Sequence, residues 1–373
     1  MKPSRPTFAE INLRAIAQNF SGIRKRVGRG VKVMAVVKAN AYGHGDTEIA
    51  PLLEKWGAEY FGVAFPEEGV RLREAGVRKP IHVFTLGVRS QTPLYTEYKL
   101  EATVCSPHDV DVLGNLSVKG RRTIPVHVKV ETGMNRIGVR RHDVSALVMA
   151  LARLRRLEIK GVFTHLATSE DKDTTFAKQQ LSEFQKALDD LKALKVEPEL
   201  VHCANSGAIQ HLPESYFSMV RPGIMMYGYY PSRTMEQTAP VAPAMSIKTA
   251  VSLVKWINAG ESVSYGRRFI AQRRTRIATL PVGYADGYPR LLSGKSSVLI
   301  NGQKFPVVGT VCMDQLMVDV GTTDVRAGDE AVLIGKQGQS QVTAWDLAER
   351  IGTIPYEILC NVASRVPRVY SKS

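Results

Sequence analysis

The chain has 373 residues, more than one compact core ordinarily requires, which points to two domains or a large barrel with a smaller companion. Its composition, 44% hydrophobic and 23% charged, excludes extensive disorder, and its four scattered cysteines (Cys105, Cys203, Cys312 and Cys360) provide neither a disulfide framework nor metal-ligand spacing. The net charge of +15 is spread over both halves without an RNP or zinc-finger signature, so it reads as a solvated basic surface and not as a nucleic-acid footprint.

The N-terminal stretch MKPSRPTFAEINLRAIAQNF lacks the apolar core of a secretory signal, and no apolar run approaches membrane-spanning length. A cytoplasmic protein without membrane association is expected. Asn12 is a candidate N-cap, followed by Leu13, Ile16, Phe20 and Ile23 on one helical face. β-branched runs then alternate with amphipathic segments. The runs are residues 31–37, 59–65, 81–86, 101–105, 124–130, 159–165, 199–204 and 217–222. Eight such units predict an α/β fold with an N-terminal (β/α)8 barrel over residues 1–240.

After residue 240 the period changes. The segments MSIKTAVSLVKWI, SVLINGQKFPVVGTV, LMVDV and EAVLIG read as strands, with Asn301-Gly302 at a hairpin turn and one helix at 343–351. Residues 241–373 are therefore predicted to form a second, mostly β-strand domain. All eight histidines precede residue 212, so acid-base work by this domain falls to tyrosine, carboxylates or cationic groups.

A barrel carries its chemistry at the C-terminal ends of its strands. Lys38, Lys129, His165, Asn205 with Ser206, and Arg221 fall there. Each alone is equally well a solvated strand end; together they mark one mouth. Lys38 ends an apolar strand in AVVKANAYGHG (residues 35–45), where partial desolvation would lower its amine pKa and suit it to a Schiff base with an aldehyde.

That segment is similar to the pyridoxal-phosphate attachment site of the alanine racemases. KVETGMNRIG (129–138), HCANSG (202–207), RPGIMMYG (221–228), VSYGR (263–267), LPVGYADGYPR (280–290) and GTVCMDQLMVDV (309–320) resemble further motifs of that family, in family order. The resemblance implies an isomerase that interconverts L- and D-alanine with pyridoxal 5'-phosphate, supplying D-alanine for bacterial peptidoglycan. It implies that Lys38 carries the cofactor as a Schiff base and that Lys38 and Tyr265 are the two acid-base groups, one on each face of the substrate. Arg221 would face the pyridine nitrogen where many pyridoxal enzymes place a carboxylate, and His165, with His202, would link Arg221 to Tyr265. Tyr42, Ser206, Gly223, Ile224 and Tyr356 would hold the phosphate. Arg136 and the Met313 amide would bind the substrate carboxylate, with Lys129 carboxylated so as to orient Arg136. Glu131 stands where the family motif has aspartate, a longer side chain that bears on the geometry at Lys129. Since Lys38 and Tyr265 fall in different domains, the resemblance also implies a homodimer with shared active sites. A pyridoxal-phosphate-dependent decarboxylase and a non-catalytic carrier of the cofactor are the rival readings, and no metal is expected.

Overall fold

The computed structural model describes residues 4–117, 123–154, 156–235 and 239–372, so the first three residues of the N-terminal stretch lie outside the described residues. Strand β1 (Phe8–Asn12) leads into the helix Leu13–Val27, which Asn12 caps: its Oδ1 accepts the Ala15 amide at 2.9 Å. Eight parallel strands then close into a barrel in chain order. They are β2 (Lys32–Val36), β3 (Tyr60–Val63), β4 (Ile81–Leu86), β5 (Leu100–Val104), β6 (Ile124–Lys129), β7 (Leu157–Phe163), β8 (Leu200–His202) and β9 (Met219–Val220), with β9 pairing back onto β2. These are the eight runs predicted from β-branched content. Met34, Tyr60, Leu200 and Met219, with Phe84 against them, fill an apolar layer of the barrel interior nearer the N-terminal strand ends. Outside, the helix Thr175–Ala193 buries Ala177, Leu181, Phe184, Ala187 and Leu191 at helical spacing.

The second compact unit is a ten-stranded sheet with a small hairpin beside it. Its further strands are β10 (Met245–Ala250), β11 (Leu253–Ile257), β12 (Ser262–Val263), β13 (Phe269–Ile270), β14 (Thr275–Leu280), β15 (Ser297–Ile300), β16 (Gln303–Val308), β17 (Leu316–Gly321), β18 (Glu330–Gln337), β19 (Ser340–Val342) and β20 (Arg368–Ser371). The sheet order is β11-β14-β17-β16-β15-β18-β10-β1-β20, with β19 on β18 and β12 paired to β13 separately. Asn301 (φ 50°) and Gly302 (φ 78°) turn β15 into β16, the two left-handed residues that a tight hairpin demands. The helix Ala344–Ile351 starts at a Thr343/Asp346 capping box and stops at left-handed Gly352.

The division is not a single cut near residue 240. One unit comprises Ile16–Ala41 and Gly45–Ala242; the other takes the chain up to Ala15, Tyr42–His44 and Pro243 onward. β1 pairs antiparallel with β10 and parallel with β20, because Ala9 and Ile11 alternate with half-buried neighbours and fit the sheet's buried face.

Asp286 ties this second unit together. Buried, it accepts from Arg5 Nη2 and Arg365 Nε, both at 2.6 Å, and from the Gly283 amide at 2.9 Å. Burial pushes its carboxyl up, but Arg365, the Gly283 amide and Arg5 together outweigh that and hold it below the ordinary value. The resulting stability is present above the ordinary carboxylate range and is lost as pH falls through the lowered value. Asp286→Asn, which leaves Arg5 without its anion and Arg365 with only the exposed Asp314, is expected to cost about 2–4 kcal/mol, read as a lowered thermal midpoint at neutral pH.

Candidate active site

Lys38 lies two residues beyond β2, and the four residues after it all adopt left-handed backbone: Ala39, Asn40, Ala41 and Tyr42 have φ of 53°, 55°, 52° and 53°. Such a run costs energy at each non-glycine position and persists only when its surroundings dictate it. Glu68 is one such constraint. Its carboxylate accepts the amides of Ala39 (2.7 Å), Ala64 (2.6 Å) and Phe65 (3.2 Å), tying the Lys38 strand end to the start of the helix Pro66–Glu74. Asn40 adds a second: its Oδ1 takes the Asp46 amide at 3.0 Å and its backbone oxygen the Gly45 amide at 2.9 Å.

Arg221, just past β9, is buried under the same mouth. It donates to His202 Nδ1 (2.9 Å), His165 Nδ1 (3.2 Å), Thr164 O (2.8 Å) and Cys203 O (2.9 Å), none of them a carboxylate. Burial lowers its pKa to about 10, so it stays charged at neutrality and can only donate. His165 and His202 are held well below the usual imidazole value, by burial first and Arg221 second, and are neutral. Lys129, Arg136 and Lys38 also press on His165, which gathers the cations of the mouth around one ring.

Lys129 ends β6, buried, with Nζ donating to Val130 O at 3.1 Å and lying 5.3 Å from the Phe163 ring centroid. Burial, then Arg221, pulls its amine down to about 7. Glu131 pushes the Lys129 amine the other way but does not reverse the shift. Its Oε1 accepts the Gly133 amide, and its carboxyl, which burial alone would raise, is held down by the amides of Asn135, Gly133 and Met134 and by Lys129. The longer glutamate thus caps its own loop, and Arg136 beyond it is exposed.

Ser206 is buried at the start of the short helix Ser206–His211, and its Oγ accepts the Gly223 amide at 2.9 Å. Its hydroxyl proton is left to donate elsewhere. Gly223 and Ile224 open the following 3₁₀ turn. The barrel thus brings together Lys38, Lys129, Arg136, His165, Ser206, Arg221, Gly223 and Ile224 at its C-terminal strand ends.

Tyr42, Tyr265, Met313 and Tyr356 belong to the other unit. Within it Tyr42 packs on Tyr356 with ring centroids 5.9 Å apart. Tyr265 follows left-handed Ser264 (φ 67°) and is 72% exposed; its backbone oxygen accepts from Thr310 Oγ1 at 2.7 Å. Met313, three residues on, is 52% exposed.

A mouth rich in cations, with one carboxylate tied to its own loop, a fixed strand-end lysine and a donating serine, fits an anionic aldehyde such as pyridoxal phosphate. The comparisons agree. Residues 11–231 match the family model of the alanine racemase N-terminal domain, and residues 244–370 that of the C-terminal domain. The chain belongs to the alanine racemase family. It is 45% identical over 370 residues to the alanine racemase of Symbiobacterium thermophilum, across 98% of this chain and 97% of that one. The identity to the alanine racemase of Halothermothrix orenii is 43% over 368 residues, with 98% and 97% covered. Among solved structures, the Bacillus anthracis alanine racemase with bound L-Ala-P superposes with a TM-score of 0.95 at 36% identity, covering 100% of this chain and 96% of that one.

The motifs of this family did not point to His82, His127 and Glu101, which lie buried inside the barrel beneath Arg221's partner His202. The signal available was spacing alone: His127 sits two residues before Lys129 on the same side of β6.

Proposed function

We propose that the chain binds pyridoxal 5'-phosphate at the barrel mouth and racemises alanine there. The observation that carries this reading is the fixed Lys38 strand end sharing its mouth with a buried, donating Arg221. Pyridoxal phosphate, once bound, supplies an electron sink for the pair left at the substrate's Cα. Lys38 would hold the cofactor through its amine and would be the group that moves a proton on one face of the substrate's Cα, and Tyr265 the group that moves it on the other. Arg221 would offer the pyridine nitrogen a donor that cannot surrender its proton, a setting that would favour return of a proton to Cα. Tyr42, Ser206, Gly223, Ile224 and Tyr356 hold the phosphate. Arg136 and the Met313 amide hold the substrate carboxylate. Lys129, partly unprotonated near neutrality, has the nucleophilic amine that carbon dioxide needs to form a carbamate, and the anion so made would orient Arg136.

No helix among the described residues is long and apolar enough to cross a membrane. We place the enzyme in the cytoplasm, supplying D-alanine to peptidoglycan. A decarboxylase or a bare cofactor carrier lacks support, since the C-terminal residues match the racemase domain. The direct test is chiral chromatography of L-amino acids incubated with the protein and added cofactor: D-alanine should accumulate to an equal mixture ahead of other products. Absence of any D-product would overturn the assignment.

The exposed Tyr265 and Met313 belong to a homodimer in which each site joins the barrel of one subunit to the sheet unit of its partner. Lys38→Ala and Tyr265→Ala proteins, each inactive, are then expected to regain up to roughly a quarter of wild-type turnover after co-refolding, because half the dimers are mixed and each carries one intact site. Subunit exchange confirmed by size-exclusion chromatography without recovered turnover would refute the shared site.

A further inference from the structure

Below Arg221 the hydrogen bonds do not stop at His202. His202 Nε2 lies 3.0 Å from His127 Nδ1, and His127 Nε2 lies 2.7 Å from Glu101 Oε2. His202 is on β8, His127 on β6 and Glu101 on β5, so the first of these bonds skips β7 and crosses the barrel interior. All four side chains are buried.

The donors fix the direction of the whole series. Arg221 has only N–H groups to offer, so His202 Nδ1 must accept and its proton must sit on Nε2. That proton goes to His127 Nδ1, leaving His127 Nε2–H to donate to Glu101. A cation at one end and a carboxylate at the other thus agree on one tautomer for both rings. The rings are also held sterically. Phe163 stacks on His202 (centroids 4.8 Å, interplanar 3°), and His82 stacks on His127 (4.0 Å, 17°). Gly161, opposite His127 on β7, leaves the space: a Cβ there would lie 2.4 Å from His127 Nδ1. The three clustered imidazoles are a poor metal site, because His127 and His202 spend both ring nitrogens on this series and His82 spends Nε2 on Thr103.

We propose that Glu101 is a remote positioning residue, its carboxylate acting through His127 and His202 as the distant counter-anion that keeps Arg221 charged and in place beneath the cofactor. Among the described residues the buried guanidinium has no carboxylate partner, and Glu101 is the anion to which its hydrogen bonds lead. A buried carboxylate that fixes an imidazole tautomer for a reacting group is an established device; here it is relayed through a second ring.

The kinetic part of the test rests on Arg221 facing the cofactor, whereas the spectroscopic part does not. In cofactor-loaded protein with ¹⁵N-labelled histidine and arginine, His127 and His202 should each show a protonated Nε2 and a bare Nδ1. A protonated Nδ1 on either ring would overturn the proposal without any variant. In Glu101→Gln the His127 Nε2–H should lose its charge-assisted downfield shift, and the change should carry through His202 to the Arg221 Nη resonances. A change confined to His127 would contradict it. Alanine racemisation kcat/KM should fall about tenfold in Glu101→Gln, but by less than about twofold more when the substitution is made in Arg221→Lys, because the two act as one unit. Multiplying effects, or an unchanged kcat/KM in Glu101→Gln, would show that Glu101 does not act through Arg221. Gly161→Ala, which displaces the His127 ring while keeping every charge, should reproduce the loss at His202 and Arg221; resonances unchanged there would also contradict the relay.

Discussion

Lys38→Ala is expected to remove both the absorbance band of lysine-bound cofactor and on the order of 10⁴-fold or more of kcat/KM for alanine, because the proposed mechanism gives attachment and proton movement on one face to the same amine. The other amine of the mouth is a poor substitute. Lys129 is buried on β6 with its Nζ turned to Val130 O, whereas Lys38 ends β2 on a backbone that Glu68 and Asn40 hold in one conformation. The fold should survive, since the left-handed turn is anchored by backbone amides and not by the Lys38 side chain. Absorbance spectra after dialysis and assays in both directions check this. A retained lysine-bound band would assign the cofactor to another amine, and a band lost with turnover kept would remove Lys38 from proton transfer.

The barrel was legible because its strands are buried on both faces and read as β-branched runs, and all eight appear within a few residues of their expected positions. Lys38, His165, Ser206 and Arg221 were legible as polar residues at strand ends, where a barrel puts its site. β1 was not, since five residues abutting a helix signal give alternation little length to register. Tyr42–His44 were not, because no local pattern says that three residues after a barrel strand belong with a sheet formed two hundred residues later. Glu101 and His127 were hidden for a different reason. In EATV and PVHVK the polar residues alternate with apolar ones, a pattern that ordinarily turns the polar side to solvent; in a closed barrel that side faces the interior, and only the hydrogen bonds across it reveal Glu101, His127 and His202 as one series.

In the proposed mechanism Lys38 and Tyr265 serve opposite faces of one substrate. Tyr265→Phe keeps the ring and removes the hydroxyl, and kcat/KM should fall about 10³-fold in both directions alike, because the equilibrium between enantiomers is independent of the catalyst. Exchange of the α-proton need not fall alike. In deuterium oxide, with mass spectrometry of each enantiomer recovered by chiral chromatography, the variant should still wash deuterium into the enantiomer whose proton faces Lys38 and leave the other almost unlabelled. Equal labelling of L- and D-alanine by Tyr265→Phe would contradict this division of roles, since one group would then be reaching both faces.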